Sequence, residues 1–160
     1  MDKTLETQVG DALRARGWTI ALGESCTGGL LGHRLTQVPG SSDYFLGGVV
    51  AYAYDSKERL LGVRHQTLYD HGAVSRETAV EMARGARVTF GADLGVSITG
   101  IAGPAGGLPD KPVGTTWIAV STRTGDVAER YQLQGDRTSN KEGAADAALQ
   151  LILRVTAGTK

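Results

Sequence analysis

One cysteine, Cys26, is the only thiol in the 160-residue chain. That excludes an intrachain disulfide framework and suits a reducing compartment, so a cytoplasmic location is expected. An excess of either charge sign is missing as well: 17 basic residues face 17 acidic ones, and the formal net charge is zero. No global field draws the chain to nucleic acid or to an anionic membrane, and neither is expected as a partner. No stretch approaches the roughly 18 apolar residues of a membrane span. The opening residues, Met1-Asp2-Lys3-Thr4-Leu5-Glu6, lack the apolar core of a signal peptide, so none is expected. No His, Cys and Asp spacing fits a zinc site. The Gly-Lys-Ser/Thr of a Walker loop and the glycine fingerprint of a dinucleotide fold are both absent.

Glycine is the opposite case. Its 23 residues are twice the usual share of about 7%. They gather at Gly28-Gly29, at Gly47-Gly48 and across 100–107, which suggests close backbone packing and ligand loops. The length suits one domain, residues 1–160, with a core that needs neither disulfide nor structural metal. The tail, 157–160, is expected to fray.

Periodicity supplies the elements. Leu5, Val9, Ala12, Leu13 and Arg16 share a helical face, with Gly17 placed to end it. Residues 18–24 read as a buried strand and 28–37 as a short helix stopped before Pro39. Phe45 to Ala53 reads as a strand with a bulge or close approach at Gly47-Gly48. A short helix follows from Asp55 to Leu61, capped by Asp55. Ser75 caps the next helix, which buries Ala79, Met82, Ala83, Ala86 and Phe90. Leu94 to Ile98 is a strand, and Val113–Thr122 and Val127–Leu133 form a hairpin turned at Thr124-Gly125-Asp126. Ser139 and Glu142 make a capping-box pattern ahead of a helix burying Ala145, Ala148, Leu149, Ile152 and Val155. The predicted fold class is α/β: a three-layer α/β/α domain with a mixed β-sheet.

Two places carry chemistry. The first is Glu24-Ser25-Cys26-Thr27-Gly28-Gly29, a strand-to-helix turn that can set a nucleophilic oxygen beside unpaired backbone N–H groups. Ser25 is the leading nucleophile and needs a base. His33, His65, His71 and Lys57 all remain open for that role, since a lysine serves once burial or a neighbouring cation lowers its pKa. Cys26 is a rival nucleophile, because a thiol at a helix start can be activated, although lone cysteines are usually buried and inert. The second place is the loop 97–107, rich in glycine after a strand, where α/β sheets bind ligands; its alternative is a plain connection. Arg137 can grip a phosphate or simply pair with Asp136.

Taken in order, these blocks resemble one family. Glu24 to Gly29 is followed by Gly47-Gly48-Val49-Val50-Ala51-Tyr52 with Lys57 and Leu61-Gly62-Val63, and then by His71-Gly72-Ala73-Val74-Ser75. Next come Thr99-Gly100-Ile101-Ala102-Gly103-Pro104 with Lys111-Pro112-Val113-Gly114-Thr115, and Gly135-Asp136-Arg137. The chain is similar over about residues 4 to 155 to the CinA C-terminal domain family in its stand-alone form. The resemblance implies a homo-oligomer that hydrolyses the carboxamide of nicotinamide mononucleotide; no metal or cofactor is expected. It makes Ser25 the nucleophile and Lys57 its base, with Tyr52, or less readily Tyr54, orienting the lysine or packing on the pyridine ring. Thr27, Gly28 and Gly29 would support the oxyanion. Thr99, Gly100 and Gly103 would hold the ribose or amide, and Arg137 the phosphate. A basic residue often follows Gly-Asp-Arg in the family; here Asn140 cannot supply that charge and Lys141 can. The alternative is a silent nucleotide-binding or partner-recruiting module linked to competence or DNA damage.

Overall fold

In the computed structural model, which describes residues 2–158, the apolar periodicities become elements. Helix α1 spans Leu5–Arg16; the Thr4 hydroxyl accepts the Thr7 N–H at its start, and Gly17 closes it in the left-handed conformation. The strands are β1 (Ile20–Glu24), β2 (Phe45–Val50), β3 (Leu94–Gly100), β4 (Thr115–Thr122) and β5 (Gly125–Gln132). The remaining helices are α2 (Leu30–Thr36), α3 (Tyr54–Leu61), α4 (His65–His71), α5 (Arg76–Phe90) and α6 (Arg137–Gly158). The strands form one sheet in the order β2-β1-β3-β4-β5. β1 runs parallel to β2 and β3, whereas β4 is antiparallel to β3 and β5. This is the expected α/β fold: a mixed sheet with helices on both faces.

The two faces are built from differently sized side chains. Ile20, Leu22, Leu94, Val96, Ile98, Ile118 and Val120 pack under α1, α2 and α6. The opposite face carries Gly95, Ser97 and Ala119 beneath α5, whose Ala79 and Ala83 are equally small. A side chain at Gly95 would collide with the Ala83 carbonyl, and the Ser97 hydroxyl donates to the Ala79 carbonyl at 2.6 Å. Small residues on both partners thus let α5 lie close against the sheet. Gly47 belongs to the same story: the β1–β2 register shifts beside it, and its φ of 145° turns the backbone close to Phe90.

Several boundaries depart from the pattern reading. Helix α4 was not expected, because only Thr67 and Leu68 of its seven residues are buried and no apolar stripe announces it. Helix α3 begins one residue early, at Tyr54, with Ala53 at its N-cap, so Asp55 is inside the helix and is not its cap. Ser139 is likewise not a cap: α6 starts at Arg137, and the Asp136 carboxylate takes the Ser139 N–H at 2.8 Å. The hairpin turns at Arg123-Thr124, one step earlier than expected, with Thr122 paired to Gly125. Phe90 is only half-buried. Helix α6 continues through Gly158 where fraying was expected; Thr159 and Lys160 lie outside the described residues.

Candidate active site

The parallel strands β1, β2 and β3 end on the same side of the sheet. Helix α2 leaves β1 toward one face, where Leu31 and Leu35 pack, and α3 leaves β2 toward the other, where Leu61 packs. Connections diverging in this way open a crevice between adjacent strand ends. The backbone there is pinned on both sides: the Ser25 N–H donates to the Ile98 carbonyl at 2.9 Å, and the Ala51 N–H to the Glu24 carbonyl at 2.8 Å. Ser25 therefore extends the sheet ladder by one residue before the chain turns.

Lys57 lies in the second turn of α3, and helical side chains tilt back toward the N-terminus. Its ammonium accordingly returns to the β2–α3 connection, donating to the Ala51 carbonyl at 2.9 Å and the Tyr52 carbonyl at 3.0 Å. The third contact of Nζ is Ser25 Oγ, at 2.9 Å. Lys57 is 1% exposed, and no carboxylate pairs with it among the described residues. Burial lowers its pKa from 10.5 to about 8. The geometry suits both protonation states. The ammonium has three acceptors, and the neutral amine keeps its two carbonyl bonds while its lone pair faces the Ser25 hydroxyl.

Glu24 holds the turn from beneath. Its carboxylate is buried and accepts the Thr27 hydroxyl at 2.7 Å, the Leu31 N–H at 2.9 Å and the Gly32 N–H at 3.0 Å. Helix α2 has Gly29 at its N-cap and no side-chain cap of its own, so Glu24 satisfies the N–H groups a local cap would have taken. The Leu30 and His33 N–H groups are taken by the carbonyls of Thr27 and Gly29. Thr27 and Gly29, in contrast, donate their own N–H groups to no acceptor among the described residues. Gly28 and Gly29 have φ of 60° and 103°, backbone that a Cβ strains. Gly28→Ala is therefore expected to cost about 1–2 kcal/mol in urea denaturation.

Cys26 sits inside the turn, and burial pushes its thiol up to about 11, which keeps it protonated at neutral pH. Tyr52 gives Lys57 its carbonyl, while its exposed phenol accepts from Arg137 Nη2 at 3.2 Å. Arg137 Nη1 donates to the Gly103 carbonyl at 2.7 Å. Arg137 thus ties the Tyr52 segment to the glycine loop. Thr99 and Tyr54 are not brought to Ser25 by their hydroxyls: Thr99 donates to the Ala73 carbonyl at 2.8 Å, and Tyr54 accepts the Ala73 N–H at 3.3 Å. Gly100 has a packing reason, since a Cβ there would meet Thr116 Oγ1 at 2.6 Å. His65 and His71 reach the carboxylates of Glu58 and Glu77, and His33 the Gln37 side chain, so no histidine serves Ser25.

A family profile described as the CinA C-terminal domain matches residues 2–156. The chain belongs to that family. A CinA-like protein from Salinibacter ruber is 58% identical over 149 residues, covering 93% of this chain and 36% of that protein. A CinA-like protein from Geobacter metallireducens is 49% identical over 152 residues, covering 95% and 37%. The chain thus spans little more than a third of the length of these curated relatives. Among solved structures, a competence-damaged protein (CinA) superfamily protein from Klebsiella pneumoniae superposes with a TM-score of 0.94 at 35% identity, covering 97% of each chain. Its Escherichia coli counterpart gives 0.90 at 31% identity, covering 95% of this chain and 90% of that one. Among the described residues, no helix is long and apolar enough to cross a membrane.

Proposed function

We propose that this domain hydrolyses the carboxamide of nicotinamide mononucleotide, releasing ammonia and nicotinate mononucleotide. The observation that carries this reading is the buried Lys57 amine on the Ser25 hydroxyl, with its pKa brought toward neutrality by burial. A carboxamide is a poor electrophile and needs both an activated nucleophile and a site for the developing oxyanion. Neutral Lys57 takes the Ser25 proton as Oγ attacks the amide carbon. The Thr27 and Gly29 N–H groups, which have no partner in the turn, hold the tetrahedral oxyanion. Lys57 passes its proton to the departing nitrogen, and ammonia leaves an acyl-serine. Water, deprotonated by the same amine, attacks the ester, and the proton returns to Ser25 Oγ. The pyridinium of the substrate withdraws electrons from the amide and disfavours a second positive charge on Lys57. Arg137, through Tyr52 and Gly103, holds the wall of the cleft, and a homo-oligomer of the domain is its proposed assembly.

The test is direct. Purified protein is incubated with nicotinamide mononucleotide, and ammonia and nicotinate mononucleotide are measured. Wild type and Cys26→Ala are expected to form both products in equal amounts, and Ser25→Ala neither. A wild-type protein that releases no ammonia, with or without added divalent metal, would sink the reading and leave a binding module in its place.

A further inference from the structure

The two edges of the sheet are built in opposite ways. Strand β5 carries Asp126, Glu129 and Arg130, and ion pairs with Arg84 and Arg154 lay further charge along it. Charged edges of this kind resist pairing with another strand. Strand β2, Phe45-Leu46-Gly47-Gly48-Val49-Val50, carries none, and the chain has no charged side chain from Tyr44 through Tyr54. It ends the sheet on its side, with no outer neighbour among the described residues. The Ala51 N–H turns inward to the Glu24 carbonyl. Backbone groups alternate in direction along a strand, so Val49 turns inward too, and Gly48 and Val50 present their N–H and C=O groups outward. The apolar cover thins at the same edge. Leu46 is 44% exposed and Val50 50%. Phe45 and Val49 are half-buried, as is Phe90, whose ring lies against Gly47. Helical periodicity puts Phe90 on the buried face of α5 with Ala79 and Ala86, yet it stays part-covered because the sheet stops beside it.

We infer that β2 joins two copies of this domain, antiparallel across a two-fold axis near Gly48, so that their five-stranded sheets run on as one. A two-fold axis sets one surface against itself. Any charge close to the axis would face its own copy, and the neutral run from Tyr44 to Tyr54 removes that repulsion. With Gly48 opposite Gly48, each Leu46 lies opposite the second copy's Val50, so the two exposed side chains of the strand cover each other. The outward N–H and C=O groups gain backbone partners in place of water. An edge without charge has nothing to select a different chain by, and this one is complementary to itself. The contact gives the homo-oligomer proposed above its interface and does not depend on amide hydrolysis. It ends beside the 24–29 turn, where a Cβ on Gly29 would lie 3.7 Å from the Val50 side chain, so the second copy borders the cleft.

Sedimentation of wild type and of Leu46→Lys, with Val127→Lys on the β5 edge as control, tests the contact. Wild type is expected at twice the monomer mass or a multiple of it. Leu46→Lys should halve that mass at the same concentration by raising the dissociation constant about 100-fold or more, and Val127→Lys should leave it unchanged. Cross-linking tests the register. Opposed residues in such a pair have Cα atoms about 5.5 Å apart, within the span of a disulfide. Oxidised Leu46→Cys/Val50→Cys protein should run as a covalent dimer on a non-reducing denaturing gel, and each single variant as a monomer; Cys26 is buried and stays out of the reaction. A monomeric wild type, a mass unchanged by Leu46→Lys, or a double variant that forms no more covalent dimer than the single ones would overturn the inference. Should the lysine variant fail to fold, the cross-link decides.

Discussion

Replacing Lys57 with methionine is expected to cut amide hydrolysis by about a thousandfold or more while the chain stays folded. Methionine is an unbranched side chain of similar length but can neither take nor return a proton. In the wild type, kcat/KM should rise with pH and level off above an apparent pKa of about 8, the value to which burial brings this amine. Stability carries the same signature. Below pH 8 both the folded and unfolded chains hold the proton, and the folded state bears the full cost of a buried charge. Between about 8 and 10.5 the unfolded chain holds a proton the folded chain has released, so stability rises with pH in that window. The rise approaches about 1.4 kcal/mol per pH unit in mid-window and ends above the unfolded value. Urea denaturation of wild type and Lys57→Met from pH 7 to pH 10.5 should therefore show the wild type gaining on the variant. A constant difference across that range would mean that Lys57 is not the buried, shifted amine described here.

Glu24→Gln is expected to destabilise the domain by about 3 kcal/mol and to abolish most of the activity. The substitution keeps the shape and changes only what one end of the side chain can accept. Oε1 receives two donors, Thr27 Oγ1 and the Leu31 N–H, and Oε2 receives the Gly32 N–H. A carboxamide has one oxygen, so whichever way it turns, its NH2 points at a backbone or hydroxyl donor in a site 3% exposed. The charge that complements the start of α2 is lost as well. Because Glu24 adjoins Ser25, the strain falls on the turn that presents the proposed nucleophile. Urea denaturation at pH 7 together with the ammonia assay measures both effects. A loss below about 1 kcal/mol would show that the turn does not depend on this carboxylate.

The outline of this site is legible in the chain because its local signals agree. An apolar run ends at two glycines and an amphipathic segment begins, so strand, turn and helix follow from residues 18–37 alone. The order of helices and strands likewise gives a mixed sheet covered on both faces. Helix α4 is illegible because it buries two side chains and depends on its neighbours for its conformation. The role of Glu24 is hidden for a related reason. Its backbone partners lie seven and eight residues ahead, beyond the reach of any capping motif; the available hint was a helix opening on Gly29 with nothing nearby to cap it. Lys57 is an intermediate case. Its identity stands in the sequence, but its direction depends on how α3 lies against the end of β1. That placement comes from the packing of Leu61 against Gly23, where a Cβ would meet the leucine at 2.9 Å. Thr99 illustrates the converse: a hydroxyl at a strand end looks available until the 71–75 segment folds over it.

The hydrogen bond from Ser25 N–H to Ile98 divides the site mechanically. On its near side Ser25, the proposed nucleophile, moves only as the sheet moves, and opening it would require unzipping β1 from β3. Two residues on, Thr27 and Gly29 keep N–H groups without an acceptor among the described residues, on a turn that is held separately, by the Glu24 carboxylate on the Thr27 hydroxyl and by the Gly28 N–H on the Ser25 carbonyl. In the proposed reaction the attacking oxygen is therefore held by the sheet and the two N–H groups by the Glu24 carboxylate, so the distance between nucleophile and oxyanion donors is set by where α2 starts relative to the end of β1.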